Sequence, residues 1–391
     1  MDKKIFGALF LSIFTAVTGV GIVVPLLPVY AHDLGASGLY IGLIFGAFSL
    51  SRTFFLPYFG RLSDKKGRKP LIVSGLLAYT VVSAAFIFSQ SVDTLITIRF
   101  LQGIASAMIM PVSQAYVGDI TPKGREGLIM GIFNMSMFFG LSFGPLIGGF
   151  IKDSFSLNTA FVCMVVLSFI AFLTSLIFLP PTCTERAVSS ARILIAWKYL
   201  IKDRALAALF IFRFVYTAAI GIIWSFLPVL ANLEFSLSGF STGILVTLGV
   251  AIGGILHTPM GFVADKFNKR TLVATGGIIV TFSMFCYARA ESYNYLLFSS
   301  ILFGVGGGFS MPALMALAVY KGKETGAMGS VMALITTAHS LGMLIGSMAA
   351  GLIMDFSSLR EAFYYGSVIM AAGMILFVFL TRKSIESEAA G

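Results

Sequence analysis

Acid is what this chain lacks. It carries 17 Asp and Glu against 27 Lys and Arg, and charged residues of both signs make up only 11% of its 391 positions. So little charge, beside a hydrophobic fraction of 58%, excludes an ordinary soluble globular domain. Cysteine is nearly absent too. Cys163, Cys183 and Cys286 lie far apart and lack metal-ligand spacing, so they exclude a disulfide framework and are read as packing residues. No nucleophile–base constellation or metal cluster is visible, and an enzyme is not expected. The glycine run Gly304-x-Gly306-Gly307-Gly308 lacks the Lys and Ser/Thr of a phosphate-binding loop and reads as a packing face, so neither cofactor nor metal is expected. The net charge of +10 is broken into short clusters between apolar runs, which argues against nucleic acid as a partner.

What the chain has is apolar runs of membrane-crossing length. They are read at 6–30, 39–61, 71–90, 94–118, 127–151, 158–180, 206–231, 239–263, 271–289, 294–319, 326–354 and 360–381. The expected fold class is therefore an all-α membrane protein of twelve transmembrane helices. Met1-Asp2-Lys3-Lys4 and the run after it resemble a signal peptide, but the run is too long and has no small-residue cleavage site, so an uncleaved first span is expected. Alternate loops divide the cations unevenly. Arg52, Arg99 and Arg213 fall inside spans, Lys152, Arg289 and Arg360 fall in one set of loops, and all the others lie in the opposite set or at the termini. The positive-inside rule then places both termini in the cytoplasm, and a bacterial-type cytoplasmic (inner) membrane is the expected location. Pro180-Pro181 stops the sixth span, giving six-helix bundles at 1–180 and 206–391 with a cytoplasmic linker at 181–205. The stretch Ala191–Leu200 is either a helix lying on the membrane surface or plain linker.

The two halves repeat one another. Gly60-Arg61-Leu62-Ser63-Asp64-Lys65-Lys66-Gly67-Arg68-Lys69 returns as Gly261-Phe262-Val263-Ala264-Asp265-Lys266-Phe267-Asn268-Lys269-Arg270, with Asn268 in place of Gly67. Leu27-Pro28-Val29 returns as Leu227-Pro228-Val229, and Gly103 with Pro111 as Gly304 with Pro312. The fifth span ends Gly140-x3-Gly144-x3-Gly148-Gly149-x3-Asp153 and the eleventh Gly342-x3-Gly346-x3-Ala350-Gly351-x3-Asp355. Parallel six-span repeats place a substrate site between the halves at the bilayer midplane. Glycines four apart let two backbones approach closely, and Pro145, replaced by Ser347 in the second copy, adds a candidate hinge. Gly60 is expected to permit close helix packing, while Lys65, Lys66 and Lys69 read as topology charges.

Together these motifs resemble the major facilitator superfamily over nearly the whole chain. Arg99-x2-Gln102-Gly103 resembles its second motif, and Gly140-x3-Gly144-Pro145-x2-Gly148-Gly149 and Gly21-x3-Pro25-x2-Pro28 resemble its twelve-span drug:proton antiporters. The resemblance implies a conformational latch of Gly60, Asp64, Gly67, Arg68 and Asp119. In it, Asp64 meets the start of the eleventh span near 326–330 and Arg68 pairs with Asp119. It also implies a role for Arg99 in proton exchange. Many such exporters carry a carboxylate in span 1 near the position of Ala16; here no acid lies well inside any span, so direct capture of a cationic drug by a buried carboxylate is not expected.

Candidates for proton coupling are therefore Arg99, Asp33, Asp64, His257 and His339, each histidine being equally readable as a packing residue. Arg213, near the end of its span, is placed to snorkel. Arg52, Gln102, Ser106, Gln114 and Asn134, with Tyr30, Tyr216, Trp224 and Phe226, are candidates to line a substrate cavity, or else to serve interhelical packing; Ser113 is a further polar candidate. Asn134-Met135-Ser136 fits a glycosylation pattern but lies within a span and is set aside. The leading expectation is a monomeric secondary transporter in contact with membrane lipids, exporting a lipophilic or amphipathic small molecule against protons. Alternatives are a transporter of an anionic metabolite or lipid headgroup, drawn to Arg52 and Arg99, and a membrane sensor without turnover.

Overall fold

In a computed structural model the described residues are 3–122, 125–181, 203–325 and 328–385, and among them every regular element is helical. The helices are α1 (Lys3–Val23), α2 (Leu26–Asp33), α3 (Gly38–Lys66), α4 (Arg68–Ala84), α5 (Val92–Ile120), α6 (Glu126–Ser154), α7 (Leu157–Phe178), α8 (Arg204–Leu233), α9 (Gly239–Lys266), α10 (Lys269–Ala288), α11 (Tyr293–Glu324), α12 (Met328–Phe356) and α13 (Leu359–Ile385), with one 3₁₀ turn at Ala85–Phe88. They supply 12 segments long and apolar enough to cross a membrane. The first expected span is two helices, because Pro25 has no N–H to carry the ladder past Val24. The linker stretch Ala191–Leu200 and Cys183 lie outside the described residues.

Helix starts follow local chemistry. Ser91 and Ser156 accept from the backbone N–H of Thr94 and Thr159 at 3.3 and 3.1 Å, and Asp203 Oδ1 accepts from Ala205 N at 2.8 Å. The second copy of the repeated loop departs from the first for the same reason. Gly67 sits at φ 90°, where a side chain is strained, and turns α3 into α4. Asn268 instead takes an extended conformation (φ −61°, ψ 110°) and caps α10, its Oδ1 accepting from Arg270 N at 2.9 Å and Thr271 N at 3.3 Å.

The contacts divide the molecule into two units. The first holds the helices through α7 together with Leu227–Thr247, the outer parts of the α8–α9 hairpin; the second holds the remainder of α8 and α9 with α10–α13. This differs from boundaries drawn at 180 and 206, because the α8–α9 turn packs with the first group. In the first unit α1 lies on α6 and α7, α3 on α5, and α4 on α5 and α7. Leu9, Ile13, Leu76, Val112, Tyr116 and Phe133 form its core. In the second unit α10 packs on α11 and α13, with Phe212 against Phe377 at 5.3 Å and Tyr287 against Phe363 at 5.5 Å.

Lipid tails are as apolar as leucine, so helices in a bilayer are held together by close packing more than by escape from water. The α6 glycines show this. A Cβ built on Gly144 lies 2.6 Å from Gly21 Cα, one on Gly148 lies 2.8 Å from Ile22 Cα, and one on Gly140 lies 3.0 Å from Thr18 N. The obstacles are backbone atoms of α1 and cannot swing aside. Unit two repeats the device, a Cβ on Gly346 lying 2.5 Å from Ala218 Cα. Ser347, opposite Pro145 in the repeat, donates its hydroxyl back to Met343 O at 2.9 Å, and, unlike proline, it also carries a backbone N–H.

Gly60 does not share this role. A Cβ there meets nothing within 4 Å among the described residues, so the close packing expected of it is not formed in this state. Gly144→Val should therefore destabilise the purified protein by about 3 kcal/mol or more through overpacking, while Gly60→Ala should leave thermal unfolding in detergent unchanged or slightly improved. Equal losses from the two substitutions would refute the assignment of the seam.

Candidate functional site

Charge in the first unit is concentrated at two places. At the α3–α4 turn, Arg68 binds Asp64 one turn earlier, donates from Nε to Asp119 at the end of α5 at 3.1 Å, and reaches Ser63 Oγ at 2.5 Å. Asp64 and Asp119 are half exposed, so this cluster orients side chains more than it contributes stability. The side chains at 326–330, to which the motif resemblance assigns Asp64, lie outside the described residues.

The second place is a buried knot between α3, α4 and α5. Arg99, 6% exposed, donates from Nη1 to Gln102 Oε1 at 3.2 Å, and Gln102 Nε2 donates to Ser83 Oγ at 3.0 Å. The guanidinium also lies over Phe48 at 4.4 Å and Phe45 at 5.3 Å. Among the described residues its Nε has no partner and no carboxylate pairs with it. A buried cation held by an amide and two ring faces remains undercompensated. Arg52 on α3 likewise buries an Nε without a partner.

The remaining candidates separate. Tyr30 donates to Ser89 O at 2.6 Å and packs edge-on to Phe161, which ties α2 to the end of span 3. Gln102 is 1% exposed and engaged in the knot, whereas Ser106 faces a recess. Gln114 and Asn134 are half-buried on α5 and α6. In unit two Tyr216 stacks on Phe303 at 5.8 Å, Phe226 is fully buried in packing, and Trp224 is half-buried. Asp33 is exposed at the end of α2. His257 is half-buried on α9, and His339 Nδ1 lies 3.3 Å from Arg213 Nη2. Arg213 does not snorkel: its Nη1 points to Met311 Sδ at 2.7 Å and its Nε is buried without a partner.

One contact passed unremarked in the sequence. Asp153, in the last turn of α6, accepts from Gly239 N at 2.9 Å and Phe240 N at 2.7 Å, clasping the start of α9. Both free N–H groups point at a carboxylate, the arrangement favoured by helix-end charge. Around it Gly149 packs on the Gly239 backbone, Gly243 approaches Pro145, and Thr247 Oγ1 donates to Ser142 O at 2.7 Å. The signal was present in the repeat, which keeps an aspartate at this register in both halves.

Twelve spans, repeated glycine seams and charge clusters at helix ends define a membrane transporter. The chain belongs to the Major Facilitator Superfamily, whose sequence profile matches residues 9–256 and 209–390. An uncharacterized transporter of this type from Methanocaldococcus jannaschii is 29% identical over 388 residues, 98% of this chain and 99% of its own. Multidrug resistance protein 1 of Bacillus subtilis is 26% identical over 385 residues, 97% of each chain, and the quinolone resistance protein NorA of Staphylococcus aureus is 26% identical over 387 residues, 96% of each. Among solved structures, the nucleoside transporter NupG superposes with a TM-score of 0.82 at 13% identity, covering 96% of this chain and 99% of that one. A bacterial homolog of the lysosomal transporter Spinster gives 0.80 at 14%, covering 96% of each. These two establish likeness of fold.

Asp153→Asn keeps the shape of the clasp but removes its charge. It should lower the protection of the Gly239 and Phe240 amides in hydrogen exchange by several-fold, corresponding to about 1 kcal/mol, and leave protection in α4 unchanged.

Proposed function

We propose that the protein is a proton-coupled exporter of lipophilic or amphipathic small molecules working by alternating access. The observation that carries this reading is the proline-bearing glycine seam of α6, a backbone contact able to slide, in a chain whose full-length relatives include a multidrug resistance protein and a quinolone resistance protein. Asp64, gripped by Arg68 together with Asp119, acts as a latch that engages the start of α12 in one transport state. The second copy, spent on capping α10 through Asn268, serves packing instead. Both termini face the cytoplasm, the protein sits in the inner membrane, and it works as a monomer; the distribution of Lys and Arg supports the orientation.

Proton coupling needs a carrier that is not a mid-span carboxylate. Asp33 and Asp64 at span ends, His257 and His339 within spans, and the uncompensated Arg99 are the groups on which it would fall. A second reading, carriage of an anionic metabolite or lipid headgroup, is favoured by one observation: Arg52 and Arg99 both bury guanidinium nitrogens without an acid. Arg52→Gln should then abolish anion binding and leave the fold intact; unchanged anion binding would remove this reading.

The exporter reading is tested in proteoliposomes, where efflux of a lipophilic dye should rise several-fold when a proton gradient is imposed. Flux indifferent to the gradient would end the antiport assignment. In the same assay Asp64→Asn should lower transport about tenfold or more and raise inward-facing accessibility of an introduced cysteine, while Asp265→Asn should have a milder effect. Equal effects would show that the two loops do the same work.

A further inference from the structure

We propose that a pocket between α8, α10, α11 and α13 binds the phosphate of an anionic phospholipid, with Lys269 and Arg270 as its cations. The proposal concerns lipid and names no cargo, so it stands apart from the exporter reading. The pocket has a volume of about 200 Å³, and polar atoms make up much of its wall. That is below the roughly 300 Å³ at which drug-sized sites begin, and it suits a head group. Its residues lie at the ends of four spans: Lys269 opens one, Ala205 follows the start of a second, and Lys321 and Thr381 each stand just before the end of another. This is the cation-rich end of the bundle, where basic pockets between helices bind anionic head groups. Phe267 and Tyr320 line it too, and at 65% and 51% exposed they give its rim an apolar surface for acyl chains.

Two observations point to an anion. The first is the repeat. In the register that sets Gly60 on Gly261 and Gly103 on Gly304, Arg68 corresponds to Lys269 and Asp119 to Tyr320. Arg68 holds Asp119 and Asp64, whereas Lys269 makes no ion pair with Asp265 or with any other described carboxylate. A cation that meets its acid in one half thus lines a pocket in the other. The second is the helix end. Lys269 and Arg270 are the first two residues of α10, whose first turn carries no acid. The start of a helix is already positive, so cations there are disfavoured until an anion joins them. Asn268 Oδ1 caps the N–H groups of Arg270 and Thr271, so the site calls for negative charge rather than for acceptors. Arg270 donates from Nη2 to Val378 O, which holds its guanidinium on α13 and leaves the other nitrogens for a ligand. Lys321 is a third cation, but it is bound to Glu324 at 2.8 Å and lies 3.7 Å from Asp203, so the uncompensated charge belongs to Lys269 and Arg270. A phosphodiester, with its charge shared between two free oxygens, suits two adjacent cations.

The test uses dioleoylphosphatidylglycerol and dioleoylphosphatidylcholine, which share tails and a phosphodiester but differ in net charge. Each is titrated onto the delipidated full-length protein in detergent, and bound lipid is counted by native mass spectrometry. Phosphatidylglycerol should bind about tenfold or more tighter, because two cations act on it. Lys269→Gln should weaken it about fivefold, while unmoved phosphatidylcholine binding reports an intact fold. Lys65→Gln, at an exposed cation of the α3–α4 turn, should change neither. Tyr320→Asp restores the acid of the first half near Lys269 and should remove most of the preference. Glycerophosphoglycerol, the same head group without tails, should fail to displace the lipid when in excess; displacement would assign the pocket to a soluble phosphodiester and overturn the lipid. Equal binding of the two lipids, equal losses from Lys269→Gln and Lys65→Gln, or a preference that survives Tyr320→Asp overturns the site.

Discussion

The contact on which most of the first unit depends is the approach of the α6 backbone to that of α1. In water such a seam would be one stabilising feature among many. In lipid, where burying leucine against leucine gains little over leucine against an acyl chain, it is a main source of helix cohesion. Gly144 and Gly148 meet backbone atoms of Gly21 and Ile22 so closely that a larger residue displaces a helix, and Gly140 lies tight against Thr18 and Val17. The same property suits movement. A seam without interlocking side chains resists separation but presents a smooth face along the helix axis, and Pro145 removes one N–H that would otherwise stiffen it.

Around that seam, charge is kept to the ends of helices, with few exceptions. Arg68 gathers Asp64 and Asp119 at the α3–α4 turn, and Asp153 clasps α9. Each uses carboxylates near water, where their desolvation costs little and their geometry rather than their energy matters. Such contacts are suited to being made and broken during a transport cycle. A buried pair in their place would be too costly to separate, whereas a solvent-accessible carboxylate exchanges a helix end for water at about 1 kcal/mol.

Much of this was legible in the residues. Hydropathy gave twelve spans, and the repeated loops and glycine ladders gave the two-half logic, because each depends on local pattern. Arg68 and Asp119 lie within bonding distance, whereas Gly60, which the resemblance counts in the latch and which was expected to pack closely, faces open space here. Site residues were harder. Polarity within a span marks Gln102, Tyr30 and Tyr216 equally, yet Gln102 serves Arg99, Tyr30 serves Ser89, and Tyr216 serves Phe303. Partner choice is a three-dimensional matter that spacing along one helix does not encode.

Scarcity of acid, the first feature of the sequence, then acquires a structural meaning. A buried arginine facing a span carboxylate would be neutralised at all times, and its field would be spent within the protein. Arg99 is held by an amide oxygen and the faces of Phe45 and Phe48, groups that orient a guanidinium without cancelling its charge. Among the described residues no carboxylate compensates that charge, at a standing cost in stability that the packing of α3 and α5 around it must offset.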